Sequence, residues 1–72
     1  MSSSQLLCYF QTEAAARAFE ADLPGEVRSE VRAPVPDIPE WLVRVRGPWD
    51  SVAEAIEAVR PLAGSHGGEV DH

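Results

Sequence analysis

The spacing of hydrophobic residues along this chain switches between two and three-to-four, and each switch marks an element. "QLLCYFQ" (5–11) is apolar at nearly every position, which predicts a central strand buried on both faces. Leu6, Cys8 and Phe10 point to one side of it and Leu7 and Tyr9 to the other. "TEAAARAFEADLPG" then places Ala15, Phe19 and Leu23 on one helical stripe, with Thr12 as N-cap, Glu13 in the first turn and Pro24-Gly25 as the stop. "GEVRSEVRAPV" returns to a period of two, with Val27, Ser29, Val31 and Ala33 facing in and Arg28, Glu30 and Arg32 facing out. The prolines at 34, 36 and 39 end that strand and stiffen the connection beyond it. "EWLVRVRG" (40–47) alternates again, Trp41, Val43 and Val45 inward and Leu42, Arg44 and Arg46 outward. "DSVAEAIEAVRPLAG" opens with Ser51 and Glu54 in capping-box spacing and carries Val52, Ile56 and Val59 on one stripe. Pro61 predicts that this second helix ends or kinks near Val59, with Gly64 as a natural C-cap. Gly67 and Gly68 turn the chain out of the helix, and Glu69 to His72 remain for a short edge strand.

The resulting order predicts an α+β fold, a ferredoxin-like βαββαβ two-layer sandwich with two helices on one face of an antiparallel sheet. Residues 1–72 form one such domain, residues 1–4 being a disordered N-terminus. The expected core is Leu6, Cys8, Phe10, Phe19, Leu23, Val27, Val31, Val43, Val45, Val52, Ile56 and Val59. A domain of 72 residues buries only about 60% of its unfolded surface, so a deep enclosed active site is not expected.

Composition narrows the function. A hydrophobic fraction of 44% belongs to a chain that folds. No apolar run approaches the roughly 20 residues of a membrane-spanning helix, and "MSSSQLLCYF" lacks a signal-peptide pattern, which points to the cytoplasm. Cys8 reads as a small buried hydrophobe. The net charge of -6 argues against general nucleic-acid binding, which needs clustered cations, and favours a basic protein partner. All 6 cations are arginines.

Candidate chemistry concentrates at the tail and on the sheet. His66, Glu69, Asp71 and His72 are metal-ligand types, yet they fall on a terminus without the fixed spacing that a zinc site needs, so no metal and no other cofactor is expected. Gly64, Gly67 and Gly68 follow a helix, whereas a phosphate cradle precedes one. No nucleophile, base and acid are spaced as a catalytic set, so no catalytic residue is assigned and no enzyme is expected. Glu54 and Glu57 lie on the outer face of the second helix, not as a catalytic pair but as a solvated charge row, and they are the expected contacts for a basic protein partner. Arg28, Arg32, Arg44 and Arg46 project from the sheet face away from the helices, joined there by Leu7, Tyr9 and Leu42. Glu13, Glu20, Asp22, Asp50, Glu54 and Glu57 fall on the helix layer. The molecule is therefore expected to be two-faced, and its apolar strip of Leu7, Tyr9 and Leu42 to be covered by a partner or in a homodimer.

The segment "LAGSHGGEVDH", preceded by the tryptophan-led "WLVRVRG", resembles the RraB family, small acidic regulators that inhibit ribonuclease E. The motif residues are Gly67, Gly68, Glu69 and Asp71. The family segment usually carries tyrosine at the place of Val70 and Gly-Trp after the aspartate, where this sequence has His72. The resemblance implies a ferredoxin-like, non-enzymatic protein that binds a nucleic-acid enzyme and not its RNA. Two other readings stand beside it: a single-stranded RNA-binding module using the open sheet face, and a dimerising small-molecule-sensing module or small enzyme of the same fold.

Overall fold

The computed structural model describes residues 4–71. Along the chain lie β1 (Ser4–Phe10), α1 (Glu13–Asp22), β2 (Arg28–Arg32), β3 (Trp41–Gly47), α2 (Val52–Ser65) and β4 (Glu69–Asp71). The strands make one sheet in the order β2-β3-β1-β4, with antiparallel neighbours throughout. The fold is thus α+β, two helices against a four-stranded antiparallel sheet. β1 begins at Ser4, which pairs with Gly47, so the expected N-terminal tail loses that residue to the sheet; residues 1–3 and His72 lie outside the described residues.

Both helices start where a hydroxyl can take up an orphan amide. The Ala15 N–H donates to Thr12 Oγ1 at 3.1 Å and the Glu54 N–H to Ser51 Oγ at 3.1 Å. The glutamates at 13 and 54 sit in the first turns, where a negative charge meets the positive end of the helix dipole.

The core lies between the helices and one sheet face. Leu6, Cys8, Phe10, Val43 and Val45 supply the sheet side, and Ala16, Phe19, Ala55, Val59 and Ala63 the helix side. Phe10 and Phe19 meet at 5.0 Å between ring centroids. Leu23, Val27, Val31 and Ile56 pack partly buried at its border. Val52 departs from the expected core: it is 42% exposed. The stripe of α2 that meets the sheet is Ala55, Val59 and Ala63, spaced by four. Alanine lets the helix backbone sit close over β1 and β4, with Val52 at the rim.

α2 also runs on through Pro61 to Ser65, beyond the end expected near Val59. A proline inside a helix costs about 3 kcal/mol. Burial of Ala63 and partial burial of Leu62 lie beyond it, and the helix end is fully capped. The Gly68 N–H donates to the Ala63 carbonyl at 2.8 Å and the Gly67 N–H to the Gly64 carbonyl at 3.1 Å, the paired bonds of a Schellman cap. This cap needs a left-handed residue, and Gly67 takes φ 72°. Gly64, expected as the cap, is still helical. His66 fixes the same corner to α1, its Nε2 lying 2.6 Å from the Asp22 carboxylate.

Gly68 is required for a different reason: a Cβ there would stand 2.2 Å from the Phe10 ring. Gly68→Ala is expected to lower stability by about 2 kcal/mol or more through overpacking, and Gly67→Ala by about 1 kcal/mol through backbone strain. Gly64→Ala, with nothing within 4 Å and a helical backbone, should instead raise stability by roughly 0.5–1 kcal/mol. Urea unfolding of the three variants checks the order.

Candidate interaction surface

Strand register sorts the face away from the helices into three rows across the sheet. Arg28, Arg46 and Gln5 form the first; Glu30, Arg44, Leu7 and Asp71 the second; Arg32, Leu42, Tyr9 and Glu69 the third. The four arginines expected on this face are therefore neighbours, all on β2 and β3, with Glu30 among them. The acids Glu69 and Asp71 of the Gly-Gly-Glu-x-Asp segment line the opposite edge on β4. Charge changes sign from one side of the sheet to the other.

Glu30 is shared. Its carboxylate lies 3.7 Å from Arg32 and 3.7 Å from Arg44, and with these side chains 38–55% exposed such pairs contribute little to stability. Arg46 donates to Gln5 Oε1 at 3.2 Å. Arg28 stands directly across from Arg46, a like-charge placement that disfavours the pair, and forms no ion pair among the described residues. Nε of Arg44 is buried with no hydrogen-bond partner. An open hollow of about 210 Å³ lies among Arg28, Glu30, Arg44 and Arg46.

The apolar strip expected here is less bare than its alternation implies. Leu42 is only 9% exposed, and Leu7 and Tyr9 are half-buried. The reason lies in the proline-rich connection, which is a hairpin as well as a stiff link. Val35 and Ile38 exchange backbone hydrogen bonds of 2.9 and 3.0 Å around a Pro36-Asp37 turn. This small hairpin lines, with Arg32, Leu42 and Arg44, a second hollow of about 270 Å³. Val35 itself is 50% exposed, so the apolar surface has moved from Leu42 to the tip above it. An apolar pair flanking Pro-Asp is the signal that could have shown this.

Tyr9 is held between the strip and the acidic edge. Burial first, then the charges of Asp71 and Glu40 and the hydrogen bond to Asp71, push its phenol above the ordinary value. The remaining candidate residues, Glu54 and Glu57, are exposed on α2, in the opposite layer, with Glu13, Asp22 and Asp50 exposed beside or beyond them. Of the tail residues read as possible metal ligands, His66 turns to Asp22 while Glu69 and Asp71 belong to β4. Among the described residues no three such side chains gather. No helix among them is long and apolar enough to cross a membrane. Comparison with family models, curated proteins and solved structures finds no match to this chain.

Cys8 sits beneath this surface, on the core side of β1, and burial pushes its thiol up from 9.0 to about 12. The unfolded chain therefore releases this proton near its ordinary value while the folded chain keeps it. Stability from this group is complete below pH 9.0 and is lost as pH rises toward 12. Denaturant unfolding between about pH 8 and about pH 10.5 should show a decline that is shallower in Cys8→Ala, and iodoacetamide should label the thiol only through unfolding.

Proposed function

We propose that this chain is a ferredoxin-like, non-enzymatic, cytoplasmic regulator that binds another protein through charged surfaces, its partner a nucleic-acid-processing enzyme of the ribonuclease E kind. The observation that carries the reading is the separation of charge between layers. The sheet face holds Arg28, Arg32, Arg44 and Arg46, while α1, α2 and the turns around them expose Glu13, Asp22, Asp50, Glu54 and Glu57. That layer holds two arginines, Arg17, engaged by Glu13 and Glu20 at 3.6 Å each, and the exposed Arg60 of α2, so its exposed acids outnumber its cations. Enzymes that act on nucleic acid carry basic surfaces, and ordered carboxylates are complementary to them.

The order β2-β3-β1-β4 around two helices on one face supports the ferredoxin-like assignment. The Gly-Gly-Glu-x-Asp resemblance supports the class of partner, since its glycines have structural work here and its two acids are left at the surface. An RNA-binding role for the sheet face is weakened by Glu30, Glu69 and Asp71 standing among its arginines and beside Tyr9, where they repel phosphate.

The test is cleavage of a labelled RNA by purified ribonuclease E with and without the protein. Inhibition is expected, and charge reversal by Glu54→Lys with Glu57→Lys should weaken it by roughly tenfold or more at low salt, mainly through slower association. Micromolar binding of RNA by the protein alone at physiological salt, lost in Arg44→Ala with Arg46→Ala, would assign the RNA-binding role instead.

A further inference from the structure

The sheet face is complementary to itself in one orientation. On β2 and β3 it presents four arginines against Glu30; on β1 and β4 it presents Glu69 and Asp71 and no cation. The two halves divide along a line parallel to the strands, between β3 and β1. A two-fold axis in the plane of the interface and parallel to the strands lays each half on the other half of a second copy. An axis across the strands would lay β2 on β2 and stack the arginines on one another. Opposite potentials attract and fix register, whereas like-charge juxtaposition is strongly disfavoured, so charge alone selects the first arrangement.

The geometry points to a homodimer of this chain, its open sheet faces packed together about a two-fold axis parallel to the strands, with Arg32 of each copy against Glu69 of the other. Rows keep their level under this operation. The third row therefore also turns the half-buried Tyr9 toward the β3 side of the second copy, where Leu42 is shielded and the exposed apolar residue is Val35 of the hairpin. The second row sets Glu30 over Asp71, the one like-charge pair of the arrangement, and Arg32 and Arg44, each 3.7 Å from Glu30, offset it. Arg32 is 55% exposed and Glu69 is exposed, so both are open to a second copy. The exposed Val35 at the hairpin tip adds apolar area at the edge of the same face. The assembly leaves the acidic helix layers on its two outer sides, and it stands or falls independently of the regulator reading.

Sedimentation equilibrium of the 7.8 kDa chain tests it. The wild type is expected at twice that mass at micromolar concentration in about 0.05 M salt, dissociating toward monomer near about 0.5 M as the charges are screened. Arg32→Glu alone and Glu69→Arg alone should each raise the dimer Kd by about tenfold or more, and the two combined should return it to within about threefold of wild type, because the swap restores opposite charges in both contacts. Urea unfolding and circular dichroism of each single variant separate loss of association from loss of fold. A folded wild type that stays monomeric at low salt and submillimolar concentration overturns the proposal, as does a dimer that the single substitutions leave intact. Failure of the combined variant to recover, with its fold preserved, overturns the axis.

Discussion

Phe10 leaves room for a backbone and for nothing more where the last strand begins. A single Cβ on Gly68 would stand 2.2 Å from its ring, so β4 can pass over the core edge only as a glycine. The turn ahead of it must reverse direction within one residue, and Gly67 does so at φ 72° while closing α2 with a Schellman pair. From these two positions the rest of that side follows. β4 lies against β1, Val70 points to the core, and Glu69 and Asp71 are carried to the opposite face, where they meet Tyr9 and Leu7. The acidic edge of the surface is thus a product of the packing at Phe10.

Much of this was legible in the alternation of residues. A period of two assigns Arg28, Arg32, Arg44 and Arg46 to one face whatever the sheet order is, and β1 is a central strand as its apolar run predicts. Burial on both of its faces does not follow, since edge neighbours pair the backbone and leave Leu7 and Tyr9 half-buried on the open face. What the periodicity could not resolve was which stripe of α2 turns inward. Val52, Ile56 and Val59 form the more hydrophobic stripe, but Ala55, Val59 and Ala63 allow closer approach of helix to sheet, and close packing outweighs the gain from burying one more valine. Pro61, inside α2, shows the same limit of local pattern. Its rule describes a local cost, and the capped turn and buried Ala63 beyond it are tertiary facts.

The sheet surface shows the same division. Which side chains point outward was readable; how far they are covered was not. Leu42 is shielded because the connection between β2 and β3 closes on itself at Val35 and Ile38, and its signal is the turn pair Pro36-Asp37 between two apolar residues, which a helix or strand period does not register. The column order is likewise tertiary. Alternation assigns Glu69 and Asp71 to a face, but only the placement of β4 at the far side of β1 separates them from the arginines and turns scattered charges into a gradient.

The central position of β1 also has a kinetic consequence. β1 precedes the other strands in the chain, and it pairs with β3 and β4, which follow it at a distance. No hairpin joins it to either partner, so every hydrogen bond along both its edges closes a long loop, and such pairings slow folding. During synthesis "QLLCYFQ" is a hydrophobic ribbon with two open edges, and it stays so until β3 arrives on one side and β4 on the other. α1, the β2–β3 hairpin and α2 form from local contacts, which leaves Leu6, Cys8 and Phe10 of β1 waiting longest for their neighbours.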